Sequence, residues 1–134
     1  LLPGQPILQA EYEAQCAELG ISHMVRFLGY RRDIDRLLAA CDAVVSSSRQ
    51  EGLPLNLIEA AARGRFIIAT DVRGNADVVR QSGSGVLVTL NDDEAMAAEI
   101  ARLCTSAPEA PDRKNIECYD SRAIVKTLFE LYGI

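Results

Sequence analysis

The sequence has few of the residues that build metal and redox sites. Its one histidine is His23, and its four cysteines, Cys16, Cys41, Cys104 and Cys118, are widely scattered with no C-x-x-C pair. That spacing offers neither a zinc site nor a disulfide framework, so the thiols read as reduced, the state of a cytosolic protein. Cys41 and Cys104 fall in apolar helical patterns and are expected in the core. His23 lies between a helix end and a strand start, where a solvated or structural role is expected rather than a catalytic one. Basic residues are outnumbered, 14 against 19 acidic, for a net charge of −5. A nucleic-acid partner, which would favour a basic patch, is therefore not expected. An anionic small ligand stays open, because backbone amides and a few local arginines can make a positive pocket. No apolar run approaches the roughly 18 residues needed to span a bilayer.

What is present suits a soluble α/β protein: 49% apolar and 25% charged residues, with five prolines and nine glycines. A length of 134 residues fits one domain over 1–134 that buries about two-thirds of its unfolded surface. Leu1-Leu2-Pro3-Gly4 reads as the tail of a strand entering a turn, as though the chain begins inside a fold. Ile7, Leu8, Tyr12, Cys16 and Leu19 then form a helical stripe closed by Gly20. Met24–Leu28 is predicted as a strand, and a helix starts near Asp33. Ala43–Ser46, Phe66–Thr70 and Gly85–Thr89 are predicted strands of the kind buried in a parallel sheet. Helices are predicted from Pro54 to about Arg63, after the turn Asp71–Asn75, and from Asp92 to Leu103. Pro54 fits a first helical position. Residues 105–112 read as irregular, and 120–134 as a C-terminal helix. This alternation predicts a Rossmann-like open parallel sheet with helices on both faces. Ligands of such sheets sit at the carboxyl ends of the strands, which directs attention to the loop after Ser46.

That loop runs into the most informative segment, Glu51-Gly52-Leu53-Pro54-Leu55-Asn56-Leu57-Ile58-Glu59. One carboxylate precedes a helix and the second lies on it, eight positions later. The amides of Gly52, Leu53 and Leu55 fall at a helix N-terminus, where unpaired N–H groups and the dipole attract phosphate. Gly52 would let a ligand approach the backbone. Carboxylates nearby can accept hydrogen bonds from vicinal sugar hydroxyls. Taken alone, Glu51 also reads as an ordinary dipole partner and Glu59 as a solvated face residue.

The wider string narrows the choice. Phe27-Leu28-Gly29-Tyr30, Leu37–Asp42, Ser48–Leu55, Ile58–Gly64, Ala69–Val72, Gly74-Asn75 and Gly85–Val88, in this order and spacing, resemble the retaining glycosyltransferases of the GT-B fold, family 4. The resemblance runs from Leu2 to about Leu103 and weakens beyond. It implies that Glu51 and Glu59 form the family's E-x7-E signature. Glu51 would face the donor sugar's hydroxyls, in the catalytic centre, and Glu59 would hold the ribose. The backbone around Gly52, Leu53, Pro54 and Leu55 would approach sugar and diphosphate, and the Gly29-Tyr30-Arg31 turn would lie near the base. Whether Arg31 stacks on the base or is solvated stays open. Four positions depart from the pattern: Ser47 and Phe66 stand for usual prolines, and Arg73 for the first residue of a Gly-Gly turn. Gly4-Gln5-Pro6 lacks a second glycine.

The implied function is the donor-binding half of a transferase using a UDP- or GDP-sugar, without metal or other cofactor. The N-terminal acceptor domain and the diphosphate-clamping basic residues would precede this starting point, leaving the isolated chain inactive. A cytoplasmic location follows, with peripheral association at the cytoplasmic membrane face and homo-oligomerisation both open. Two alternatives also stay open: an epimerase or hydrolase of the same fold, and a stand-alone binding domain without turnover.

Overall fold

Two runs of β-branched residues, bounded by loops, set the centre of the sheet. A computed structural model describes residues 8–106, 113–120, 122, 125, 126, 129 and 130. Three parallel strands, β1 (Ala43–Ser46), β2 (Phe66–Thr70) and β3 (Gly85–Val88), lie in the order β1-β2-β3. Val44 pairs with Ile67 and Ser46 with Ala69, while Ala69 pairs with Leu87 and Thr70 with Val88. The carboxyl ends of β1 and β2 therefore stand side by side.

Among the described residues lie the α-helices α1 (Gln9–Glu18), α2 (Ile34–Ala40), α3 (Leu55–Ala62), α4 (Arg73–Ser82) and α5 (Asp93–Thr105). A 3-10 helix follows at Arg113–Tyr119. The crossovers β1-α3-β2 and β2-α4-β3 advance in one direction, so right-handed connections put α3 and α4 on one face, where they touch each other and β2. Helix α5 also packs on β2, with Arg102 set 5.5 Å from the centre of the Phe66 ring. Side chains alternate along a strand, yet Ile67, Ile68, Ala69 and Thr70 are all buried, so both faces of β2 are covered. Leu57, Ala60 and Ala61 of α3 and Val78 and Val79 of α4 complete the core. Each large aliphatic among them contributes about 1.5–3 kcal/mol by burial.

The chain divides into two compact units, Leu1–Arg36 and Leu37–Ile134. In the first, α1 ends in a paired turn: Ile21 N–H donates to Cys16 and Gly20 N–H to Ala17, with Gly20 at φ +69°. The same construction ends α3, where Arg65 N–H reaches Ala60 and Gly64 N–H reaches Ala61.

Several expectations are met closely: β1 and β2 have the predicted bounds, and α1, α2 and α5 start within two residues of theirs. Others are corrected. Met24–Leu28 is not a strand. Met24, Val25 and Phe27 are exposed and no strand among the described residues pairs with them, and an extended segment without a ladder partner is a loop. Pro54 is the N-cap of α3 (φ −76°, ψ 88°) rather than its first helical residue, and its carbonyl takes the amides of Leu57 and Ile58. Gly74 and Asn75 belong to α4, not to the turn before it. Cys104 is exposed, because α5 turns Met96, Glu99 and Leu103 inward and Cys104 stands about 100° off that row. Cys41 is half-buried, its thiol 3.5 Å from the Leu38 carbonyl. His23 is exposed. Within 120–134, residues 122, 125, 126, 129 and 130 are helical. The rest of that predicted helix except Asp120, and Leu1–Ile7 with its opening turn, lie outside the described residues.

Candidate functional site

Parallel strands end together, and the loops leaving them share one edge. Here the loop after β1, from Ser47 to Pro54, meets the short connection from β2 into α4. The contact is close. Gly74 N–H donates to the Glu51 carbonyl at 3.2 Å. A Cβ at Gly74 would stand 2.7 Å from the Gly52 carbonyl oxygen and 2.8 Å from that of Glu51. Only a residue without a side chain allows this approach.

The same loop is anchored from the sheet. Thr70 Oγ1 donates to the Ser48 carbonyl, and Asn75 Nδ2 donates to the Thr70 carbonyl and hydroxyl, each at 3.2 Å. Ser48 Oγ donates to Glu51 Oε1 at 2.7 Å. Asn75 is fully buried, and its Oδ1 has no hydrogen-bond partner among the described residues.

Glu51 is half-buried at this loop, while Gly52, Leu53 and Leu55 are exposed and Pro54 is buried. The amides of Gly52 and Leu53 in the loop and of Leu55 at the start of α3 donate to nothing among the described residues, so the entry to α3 holds unspent donors. Glu59 is exposed on α3, one turn beyond Leu55, on the face opposite the buried Leu57, Ala60 and Ala61. The structure thus brings Glu51, Gly52, Leu53, Pro54, Leu55 and Glu59 into one loop and one helix face. Gly29, Tyr30 and Arg31 belong to the other unit. Gly29 is left-handed at φ +60° and Tyr30 is 72% exposed. Arg31 makes a two-pronged contact with Asp33 at 2.6 and 2.8 Å. That hydrogen bond raises the Arg31 pKa and, despite slight desolvation, lowers that of Asp33.

A model of the family described as glycosyl transferases group 1 matches residues 3–119. The chain belongs to this family. Among relatives of this group 1 chain, EpsD of Bacillus subtilis is 35% identical over 75% of the chain and 26% of EpsD. The UDP-Gal:alpha-D-GlcNAc-diphosphoundecaprenol alpha-1,3-galactosyltransferase of Escherichia coli is 30% identical, again over 75% of the chain and 26% of that protein. The group 1 chain thus spans about a quarter of the length of these curated relatives. The crystal structure of WaaG, a glycosyltransferase involved in lipopolysaccharide biosynthesis, superposes with a TM-score of 0.70 at 24% identity, over 84% of this chain and 30% of WaaG. The fold is accordingly the Rossmann-like half of a GT-B architecture.

Two parts of this candidate site were not legible in the sequence. The first is the support of Glu51 by Ser48, Thr70, Gly74 and Asn75. Gly74-Asn75 just after a strand was a usable signal for it, since a glycine there marks close backbone approach. The structure also accounts for the departure at Arg73: position 73 is exposed and accepts a side chain, whereas position 74 cannot. The second is a cleft of about 570 Å³ beside Gly52 and Leu53, walled by Gly74, Asp77, Gln81 and Tyr119. Tyr119 donates its hydroxyl to Gln81 Oε1 at 3.2 Å. Burial, then the nearby Cys118 and Asp77, push its pKa upward. No sequence motif announced this wall.

No helix among the described residues is long and apolar enough to cross a membrane.

Proposed function

We propose that the chain is the donor-binding half of a retaining, family 4 glycosyltransferase that uses a UDP- or GDP-sugar. The observation that carries this reading is the entry to α3. Unspent amides at Gly52, Leu53 and Leu55 adjoin a held carboxylate at Glu51 and a second at Glu59. Amides and dipole suit the diphosphate, which is anionic and rich in acceptors. Carboxylates suit hydroxyls, which donate. Only a ligand with both chemistries, such as a nucleotide sugar, uses the whole edge.

In this proposal Glu51 accepts from hydroxyls of the transferred sugar and Glu59 from the ribose. The backbone from Gly52 to Leu55 follows the sugar and diphosphate. Departure of the nucleoside diphosphate is assisted by helix-terminal amides and by basic residues outside this chain, with no metal or other cofactor. Closure of a second, acceptor-binding domain excludes water and brings the acceptor oxygen to the anomeric carbon. The Escherichia coli relative, named for a UDP-Gal donor and a diphosphoundecaprenol-linked acceptor, is in keeping with this reading. A cytoplasmic protein that meets a lipid-linked acceptor at the membrane face is part of it.

Calorimetric titration of the chain with UDP, GDP, UDP-glucose and GDP-mannose tests the proposal. One base should bind, and Glu59→Ala should weaken it at least tenfold, the effect of losing one or two charge-assisted hydrogen bonds. Equal binding by wild type and Glu59→Ala would remove Glu59 from the site.

A further inference from the structure

The orientation of the Glu51 carboxylate is set by a neighbour outside the E-x7-E signature. Ser48 Oγ donates to Glu51 Oε1 at 2.7 Å. A hydroxyl has one proton, so the 3.2 Å contact between the Ser46 and Ser48 hydroxyls must run with Ser46 as donor. Ser46, Ser48 and Glu51 thus form a head-to-tail chain in which each hydrogen bond polarises the next. The Ser48 backbone is held too, since its carbonyl accepts from Thr70 Oγ1, which in turn accepts from Asn75 Nδ2. Ser46, Thr70 and Asn75 are all buried. Ser46 and Thr70 end neighbouring strands and Asn75 lies in the first turn of α4, so the anchors sit in well-packed elements. Glu51 Oε2 has no partner among the described residues.

We propose that Ser48 is a positioning residue, fixing the Glu51 carboxylate so that Oε1 is engaged and Oε2 is left to accept a hydroxyl of the donor sugar. Thr70 and Asn75 hold Ser48 in place. This rests on the reading of Glu51 as a sugar ligand. It predicts a division of labour: losing the Ser48 hydroxyl costs affinity for the sugar and spares the nucleotide.

The test titrates UDP, GDP, UDP-glucose and GDP-mannose into wild type, Ser48→Ala, Ser48→Thr and Glu51→Gln. Wild type should prefer the matching nucleotide sugar to the bare diphosphate. Ser48→Ala should weaken the conjugate about tenfold, the scale of one hydrogen bond to a charged group, and leave the diphosphate unchanged. Ser48→Thr keeps a hydroxyl and should restore the preference. If Glu51→Gln weakens the conjugate and Ser48→Ala does not, the positioning role is overturned while the donor site stands. If wild type binds none of the four, the donor reading fails by itself. NMR relaxation of the Glu51 side-chain methylenes then decides the positioning role without ligand. Methylenes rigid in wild type and mobile in Ser48→Ala support it, and equal mobility in the two overturns it.

Discussion

Gly74 and Glu51 are joined backbone to backbone. The N–H of Gly74 donates to the Glu51 carbonyl at 3.2 Å, and there is no room between them for a methyl group. The first turn of α4 is therefore the floor of the loop that carries the first carboxylate of the motif. A helix start and this loop satisfy each other, since the amide would otherwise be an unpaired helix donor.

Gly74→Ala should destabilise the domain. Alanine gains up to about 1 kcal/mol of helix propensity over glycine. Against that, the clash is with backbone that cannot swing away, and overpacking costs about 1–3 kcal/mol. The net sign should appear as a lower urea midpoint, with amide shifts at Glu51 and Gly52. Gly52→Ala is the control: a Cβ there meets nothing within 4 Å. An unchanged midpoint for Gly74→Ala would show that the loop can yield.

Leu57→Ala should cost about 2–5 kcal/mol, as for other fully buried leucines, because Leu57 is the one large side chain of α3 that is fully buried. Leu55→Ala, two residues earlier and 63% exposed, should change stability by under about 0.5 kcal/mol. Denaturant unfolding of the two variants side by side checks the depth to which α3 is seated. Similar midpoints would contradict the burial pattern.

Asp92 caps α5, its carboxylate accepting from Ala95 N–H at 2.9 Å. Asp92→Ala should lose about 0.5–2 kcal/mol of stability, and Asp92→Ser should recover most of it. Equal loss in both would point to some role other than capping.

Tyr119 should ionise late in an alkaline titration, since burial and the neighbouring Cys118 and Asp77 disfavour the phenolate. A tyrosine whose folded pKa lies above its unfolded one contributes stability that is present below the unfolded value. That contribution is lost as pH rises through the folded value. Tyr119→Phe should therefore remove a late step from the tyrosinate absorbance and flatten the fall in stability above about pH 10. Persistence of that step in Tyr119→Phe would assign it elsewhere.

Much of the fold was legible because its signals are local. Ala43–Ser46 and Phe66–Thr70 read correctly as strands, being short apolar runs between loops or glycines. Gly20 and Gly64 marked helix ends because their left-handed backbone is needed there. Met24–Leu28 had the same appearance and failed, since strandedness needs a partner and no window of sequence contains one. Cys104 failed for a related reason: an apolar helical pattern does not say which 100° step faces the sheet.

By itself, the sequence determined the α/β alternation, the position of the loop after Ser46, and the placing of Glu51 before a helix and Glu59 on it. Those are properties of periodicity and spacing along the chain. Only the tertiary structure decided what holds Glu51 in place. Ser48 and Thr70 are 22 residues apart and meet because parallel strands end at one edge. Gly74 reaches the Glu51 backbone because the next crossover returns to that same edge. Tyr119 reaches Gln81 across 38 residues because the 3-10 helix packs against α3 and α4. Such contacts come from packing elements around a shared core, and no local pattern encodes them.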